Sequence, residues 1–198
     1  MDERILNEIK VIFEKINKTS HMSKQLWVID PVHSEIVFKV RHVMITNVSG
    51  TFDRFEAKMY SSEKDFSDAE ISFEADVDSV NTRNEQRDGH LKSGDFFEVE
   101  KFPKLTFKST SFKSMGENKY ELTGDFTLKG VTKSITLDTE YTGSVIDPWG
   151  QVKAGFEMSA VVKRTEFGLV WNAATEDGGV TLSEEVKLNI TAQMIKQI

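Results

Sequence analysis

The chain has 198 residues, enough for one β-barrel domain of ordinary size. Its 25 Lys and Arg are interleaved with 32 Asp and Glu for a net charge of −7, which excludes the basic stripe of a nucleic-acid binder and long-range attraction to an anionic membrane surface. The absence of cysteine excludes thiol catalysis, thiolate metal sites and disulfides together.

Residues 1–20 stand apart from the rest of the chain. Ile5, Leu6, Ile9, Ile12, Phe13 and Ile16 recur at helical spacing, with Glu8, Lys10, Glu14 and Lys15 between them, and Asp2 is placed to cap the start. The spacing predicts a short amphipathic helix with a mixed-sign polar face, unlike the basic face of a membrane-surface helix. His21-Met22 matches the residue of an NdeI cloning site, and Met22-Ser23-Lys24 reads as a native start. Residues 1–21 are therefore either an added segment or a native helix that docks on the domain 22–198 or forms a homodimer. No apolar run approaches the ~20 residues of a transmembrane helix. Met1-Asp2-Glu3-Arg4 lacks the basic start of a secretory signal, so a cytoplasmic location is expected.

From Glu35 the period changes to two. Ile36, Phe38, Val40 and His42 share one face. Phe55, Ala57 and Met59 alternate with Arg54, Glu56 and Lys58, and Ala69, Ile71, Phe73, Ala75 and Val77 alternate with Glu70, Ser72, Glu74 and Asp76. After Asn84–Pro103, a long segment read as one or two helical turns covering an end of the domain, Leu105 and Phe107 mark a strand. Tyr120, Leu122, Phe126 and Leu128 mark the next. A turn at Lys129-Gly130-Val131-Thr132 leads to Ile135, Leu137 and Tyr141, and Asp147-Pro148-Trp149-Gly150 is a second turn. Val152, Ala154, Phe156, Met158, Ala160 and Val162 continue the alternation, and Val186 through Met194 carry the last strand. About eight consecutive antiparallel strands, each with one apolar face, predict a closed all-β barrel. Periodicity alone leaves open whether its interior is filled by side chains or holds a ligand.

Seven motifs occur in order: Trp27-x-Ile29-Asp30-Pro31-x-His33-Ser34; Gly50-Thr51-Phe52-x-x-Phe55; Ser79-Val80-Asn81-Thr82; Arg87-Asp88-x-His90-Leu91-Lys92-Ser93; Asp95-Phe96-Phe97-x-Val99-x-x-Phe102-Pro103; Gly124-x-Phe126-Thr127-Leu128-x-Gly130-Val131-Thr132-Lys133; and Arg164-x-x-Phe167-Gly168. From about Trp27 to Ile195 the chain resembles the YceI family of lipocalin-like proteins. The resemblance implies an extended eight-stranded antiparallel barrel with a long apolar pocket for a polyisoprenoid, or for another long-chain amphiphile such as a fatty acid or fatty amide, bound without catalysis. Many relatives carry a signal peptide, from which this sequence departs. Expected wall residues are Phe38, Val40, Phe73, Val77 and Phe107, with Phe126, Leu137, Phe156 and Met158. The bound lipid is the only ligand expected; no cofactor and no metal is.

Four polar residues have two readings each. His42 either bonds a ligand head group or is a buried histidine satisfied by backbone. Arg87 either pairs a pyrophosphate or hydroxyl or, with Asp88, pins the covering segment to the barrel. Arg164 holds a strand end or faces the head group. His90 with Asp88 would supply a general base for a small lipid-directed hydrolase or isomerase, the alternative of another class; no Gly-x-Ser-x-Gly elbow or phosphate loop accompanies it. His33, His42 and His90 lack the spacing of a metal site.

Overall fold

The computed structural model describes residues 24–174 and 181–198; the expected N-terminal helix lies outside the described residues. The strands are β1 (Gln25–Ile29), β2 (Glu35–His42), β3 (Thr46–Phe52), β4 (Phe55–Ser61), β5 (Glu70–Asp76), β6 (Val80–Asn81), β7 (Lys104–Gly116), β8 (Lys119–Leu128), β9 (Val131–Ile146), β10 (Val152–Lys163) and β11 (Leu182–Lys196). One helix, α1 (Glu85–Lys92), follows β6.

Every pairing is antiparallel, and eight strands close a ring in the order β1-β4-β5-β7-β8-β9-β10-β11, sealed by β1 against β11. The two segments β1 and β2 behave as one long strand broken at residues 30–34. One edge of β11 meets β2 from Leu182 to Thr191 and β1 from Met194 to Lys196. At the break, Asp30 accepts from Val32 N at 3.1 Å and pairs with His33 Nδ1 at 2.9 Å, so His33 serves a bend. β3 and β4 are broken likewise, against the broken first strand. The expected eight-stranded antiparallel barrel is thus present, with its leading strands interrupted.

Turn chemistry fixes the hairpins. Glu117 and Asn118 join β7 to β8, and Lys129 and Gly130 join β8 to β9; all four have positive φ, between 49° and 74°, as two-residue turns matching strand twist require. Val131 and Thr132, expected in the turn, already pair with Leu128 and Thr127. Close packing needs glycine at Gly50, where a Cβ would collide with the Phe38 ring, and at Gly124, where it would collide with the Phe107 ring; each ring fills the space its glycine leaves.

The 15 residues of β11 span about 50 Å at ~3.4 Å each, or roughly 38 Å of barrel height at a tilt of about 40°. One end is covered by α1 and the segment behind it. The other is floored by aromatic rings. Phe66, in the β4–β5 connection, is 4% exposed and packs edge-on against Trp27 at 5.3 Å, Tyr141 at 5.4 Å and Phe156 at 5.3 Å. Beside them Phe112 stacks on Tyr120 at 4.6 Å.

The connection that presents Phe66 is organised by Asp68. Its carboxylate accepts from the hydroxyls of Ser61 and Ser62 and from the backbone N–H groups of Ser62 and Glu63, and Lys24 Nζ lies 3.6 Å away. Burial pushes this carboxyl up, but the donations from Ser61, Ser62 and Glu63 overcome it and hold the pKa well below its ordinary 3.8. A depressed folded-state pKa contributes stability that is complete above the unfolded value and is lost as pH falls through the folded one. Asp68→Asn is therefore expected to cost about 2 kcal/mol near neutrality. That difference from wild type should shrink below about pH 4; urea midpoints of both proteins across the acid range check it, and a gap unchanged by acid counts against the charged-acceptor role.

Candidate functional site

The covering helix is seated by one buried threonine. Asn84 caps α1 by accepting from Arg87 N at 2.9 Å. Thr82, 4% exposed, donates from its N–H and its hydroxyl to Asp88 Oδ1. Arg87 Nε donates to the Thr82 hydroxyl at 2.7 Å, and Arg87 Nη2 to the Thr82 carbonyl at 2.7 Å. Arg87 and Asp88 thus pin the covering segment to the barrel, the second of the two readings.

His90 lies on the same helix. Its Nε2 is 2.9 Å from Asp95 Oδ2, and its ring stands edge-on to Phe96 and Trp171, each at 5.0 Å. His90 and Asp88 are engaged by different partners, so the general-base pair of the hydrolase alternative is not assembled.

Arg164 opens a 3-10 turn, Arg164–Phe167, that ends at Gly168 with φ 74°. Its residue is 5% exposed. Nε donates to Ser183 O at 2.8 Å, while Nη1 serves both Trp171 O at 2.8 Å and Leu169 O. Burial holds its pKa below the ordinary arginine value. Among the described residues no carboxylate lies within ion-pair distance of it, and Nη2 has no hydrogen-bond partner. Arg164 holds a strand end and also borders the interior.

That interior has two compartments. The upper one, about 330 Å³, lies under α1 and is bordered by Phe38, Val40, His42, Arg87, His90 and Arg164 together with Leu91, Phe97, Trp171 and other apolar groups. The deep one, about 120 Å³, is bordered by Phe73, Phe107, Leu137, Phe156 and Met158 among others. The two meet at a collar of Phe52, Leu105, Phe126 and Leu188, which border both. Polar groups concentrate in the upper compartment; among the described residues the deep one has only Thr139, whose hydroxyl turns to Leu137 O.

The structure brings all but one of the residues expected from the sequence to these walls. Val77 is the correction. The alternation of β5 stops at Asp76, and Val77 begins a 3-10 turn. It is buried at 2% exposure in the core but borders neither compartment. His42 is half-buried and borders the upper compartment, and among the described residues its ring has no hydrogen-bond partner.

Several wall residues escape a period-two reading. Phe96, Phe97, Leu169 and Trp171 come from non-strand segments. Phe112 is hidden by a bulge: the β7–β8 register shifts between Ser109 and Ser111, moving the inward face from odd positions, Leu105 and Phe107, to the even Phe112. No group of three His, Asp or Glu among the described residues is arranged to hold a metal ion, and no described helix is long and apolar enough to cross a membrane.

A closed eight-stranded antiparallel barrel around an apolar interior that turns polar at one end defines a lipocalin-like fold. The chain belongs to the YceI-like domain family, whose model matches residues 27–194. A UPF0312 protein of Staphylococcus aureus (strain N315) is 38% identical over 165 residues, covering 83% of this chain and 94% of that protein. The crystal structure of a Campylobacter jejuni YceI protein superposes with a TM-score of 0.69 at 31% identity, over 79% of this chain and 90% of its own. A polyisoprenoid binding domain from Saccharophagus degradans shares the fold at a TM-score of 0.61 and 14% identity, over 86% of this chain and 98% of its own.

Proposed function

We propose that the barrel binds one long-chain amphiphile, a polyisoprenoid, and stores or carries it without bond chemistry. The observation that carries this reading is the polarity gradient along one axis: Arg87, His42, His90 and Arg164 border the upper compartment, and below the collar the walls are almost wholly apolar. A molecule with one polar end and a long apolar tail matches that gradient. Transfer from water is worth about 0.8 kcal/mol per buried CH₂, so each isoprene unit of the tail adds to affinity without directional contacts, while the polar end pairs with the charged groups of the upper compartment. The polyisoprenoid binding described for the Saccharophagus degradans domain supports the choice of ligand class.

The test is purification without denaturation, extraction with organic solvent, and mass spectrometry of the extract. A polyisoprenoid at one per chain is the expected result. A fatty acid or fatty amide would keep the carrier and change its ligand. An empty extract, with no uptake of added polyprenols, would overturn the proposal.

A further inference from the structure

We infer that Phe66 sets the greatest chain length the barrel accepts, by holding Phe156 in place as the floor of the deep compartment. The inference rests on the proposed function, since it specifies which members of the ligand class fit. Phe156 borders the deep compartment and is 5% exposed. Phe66 backs it edge-on at 5.3 Å and also touches Tyr141 and Trp27. Residues 62–65 and Ser67 on either side of Phe66 are exposed. Phe66 is therefore the buried side chain that this exposed stretch of the connection places against Phe156.

The connection is built to keep that ring inward. Phe66 has φ 59°, a left-handed conformation that is unfavourable for a non-glycine residue and persists where the surroundings over-determine it. Here they do. Phe66 N donates to Glu63 O at 3.2 Å, and Ala69 N to Phe66 O at 2.9 Å. Asp68 gathers Ser61, Ser62 and Glu63 ahead of the ring. Tyr120 Oη donates to Asp65 O at 2.6 Å, and Tyr120 also stacks on Phe112, another wall of the deep compartment. One hydrogen bond thus ties the connection to the wall it closes.

A rigid stop has a definite signature. Uptake strengthens with each isoprene unit until the tail reaches Phe156. Beyond that length the surplus must stay among the charged groups of the upper compartment, and binding stops improving. Phe66 acts through Phe156 and is a positioning residue, so its removal should change the length limit rather than affinity for all chains alike.

The experiment offers polyprenols graded by one isoprene unit to the wild-type protein, Phe66→Ala and Phe66→Leu, and reads the bound lengths by native mass spectrometry. Wild type should show an upper limit. Phe66→Ala should move it up by at least one unit, and Phe66→Leu should move it less. An unchanged limit in variants that keep the wild-type circular dichroism overturns the inference. Failure of wild type to take up any polyprenol refutes the proposed function instead. Should both variants unfold, the intact floor can be probed directly. With Trp149→Phe and Trp171→Phe, Trp27 is the remaining tryptophan of the three, and it lies 5.3 Å from Phe66. Alkyl chains brominated at the tail end should quench it only near the length limit; quenching at no length overturns the inference.

Discussion

Replacing Arg164 by methionine is expected to lower the free energy of unfolding by about 3 kcal/mol, read from the urea midpoint. The guanidinium donates to the carbonyls of Leu169, Trp171 and Ser183, which belong to the two chain segments flanking residues 175–180. Methionine fills much of the same volume but leaves those carbonyls without a donor, and an unmade buried hydrogen bond costs more than a made one contributes. Arg164→Lys should recover only part of the loss, because one ammonium cannot reproduce the planar fork. An unchanged midpoint in Arg164→Met would mean that the carbonyls are hydrated and that the arginine is kept for something other than stability.

The second large effect concerns the collar. Leu188, half-buried on β11, lies between Phe38 on β2 and Ala160 on β10 and borders both compartments. On the proposed function, Leu188→Trp should place an indole across the passage and weaken long-chain uptake at least about tenfold, or ~1.4 kcal/mol. The cost in stability should stay within the ~1–3 kcal/mol of ordinary overpacking, since the new ring enters existing space. Lipid recovered per chain and the affinity for an added polyprenol decide the matter. Wild-type uptake in a folded variant would show that the tail does not pass the collar. Loss of both uptake and fold would be answered by Leu188→Phe, a smaller change with the same expected direction.

Much of the barrel was legible in the sequence because β5, β10 and β11 alternate cleanly, and a period of two permits little else. Phe73, Phe156 and Met158 follow from that alternation alone. The floor was not legible. Phe66 sits in a polar stretch, Ser61 to Ser67, with no period; its one signal is that a lone aromatic there must be buried somewhere. Phe112 was lost because a bulge adds one residue and turns the face, and nothing in Ser109-Thr110-Ser111 announces it. Val77 was misplaced by extending a true alternation one residue past its end. The pairing of His90 with Asp95 in place of Asp88 depends on how the helix is seated on Thr82, a tertiary matter that sequence spacing does not encode.

The sealing of the ring bears on how the protein is made. β11 follows every other described strand in the chain, yet it bonds to β10, to β2 and to β1. During translation the apolar inner face of the earlier strands has no lateral partner along that seam until the last strand leaves the ribosome. Pairing between the first and last strands also carries a large loop-closure entropy, which slows folding. Closure of the ring is therefore expected among the last steps of folding, because it joins strands far apart in the chain.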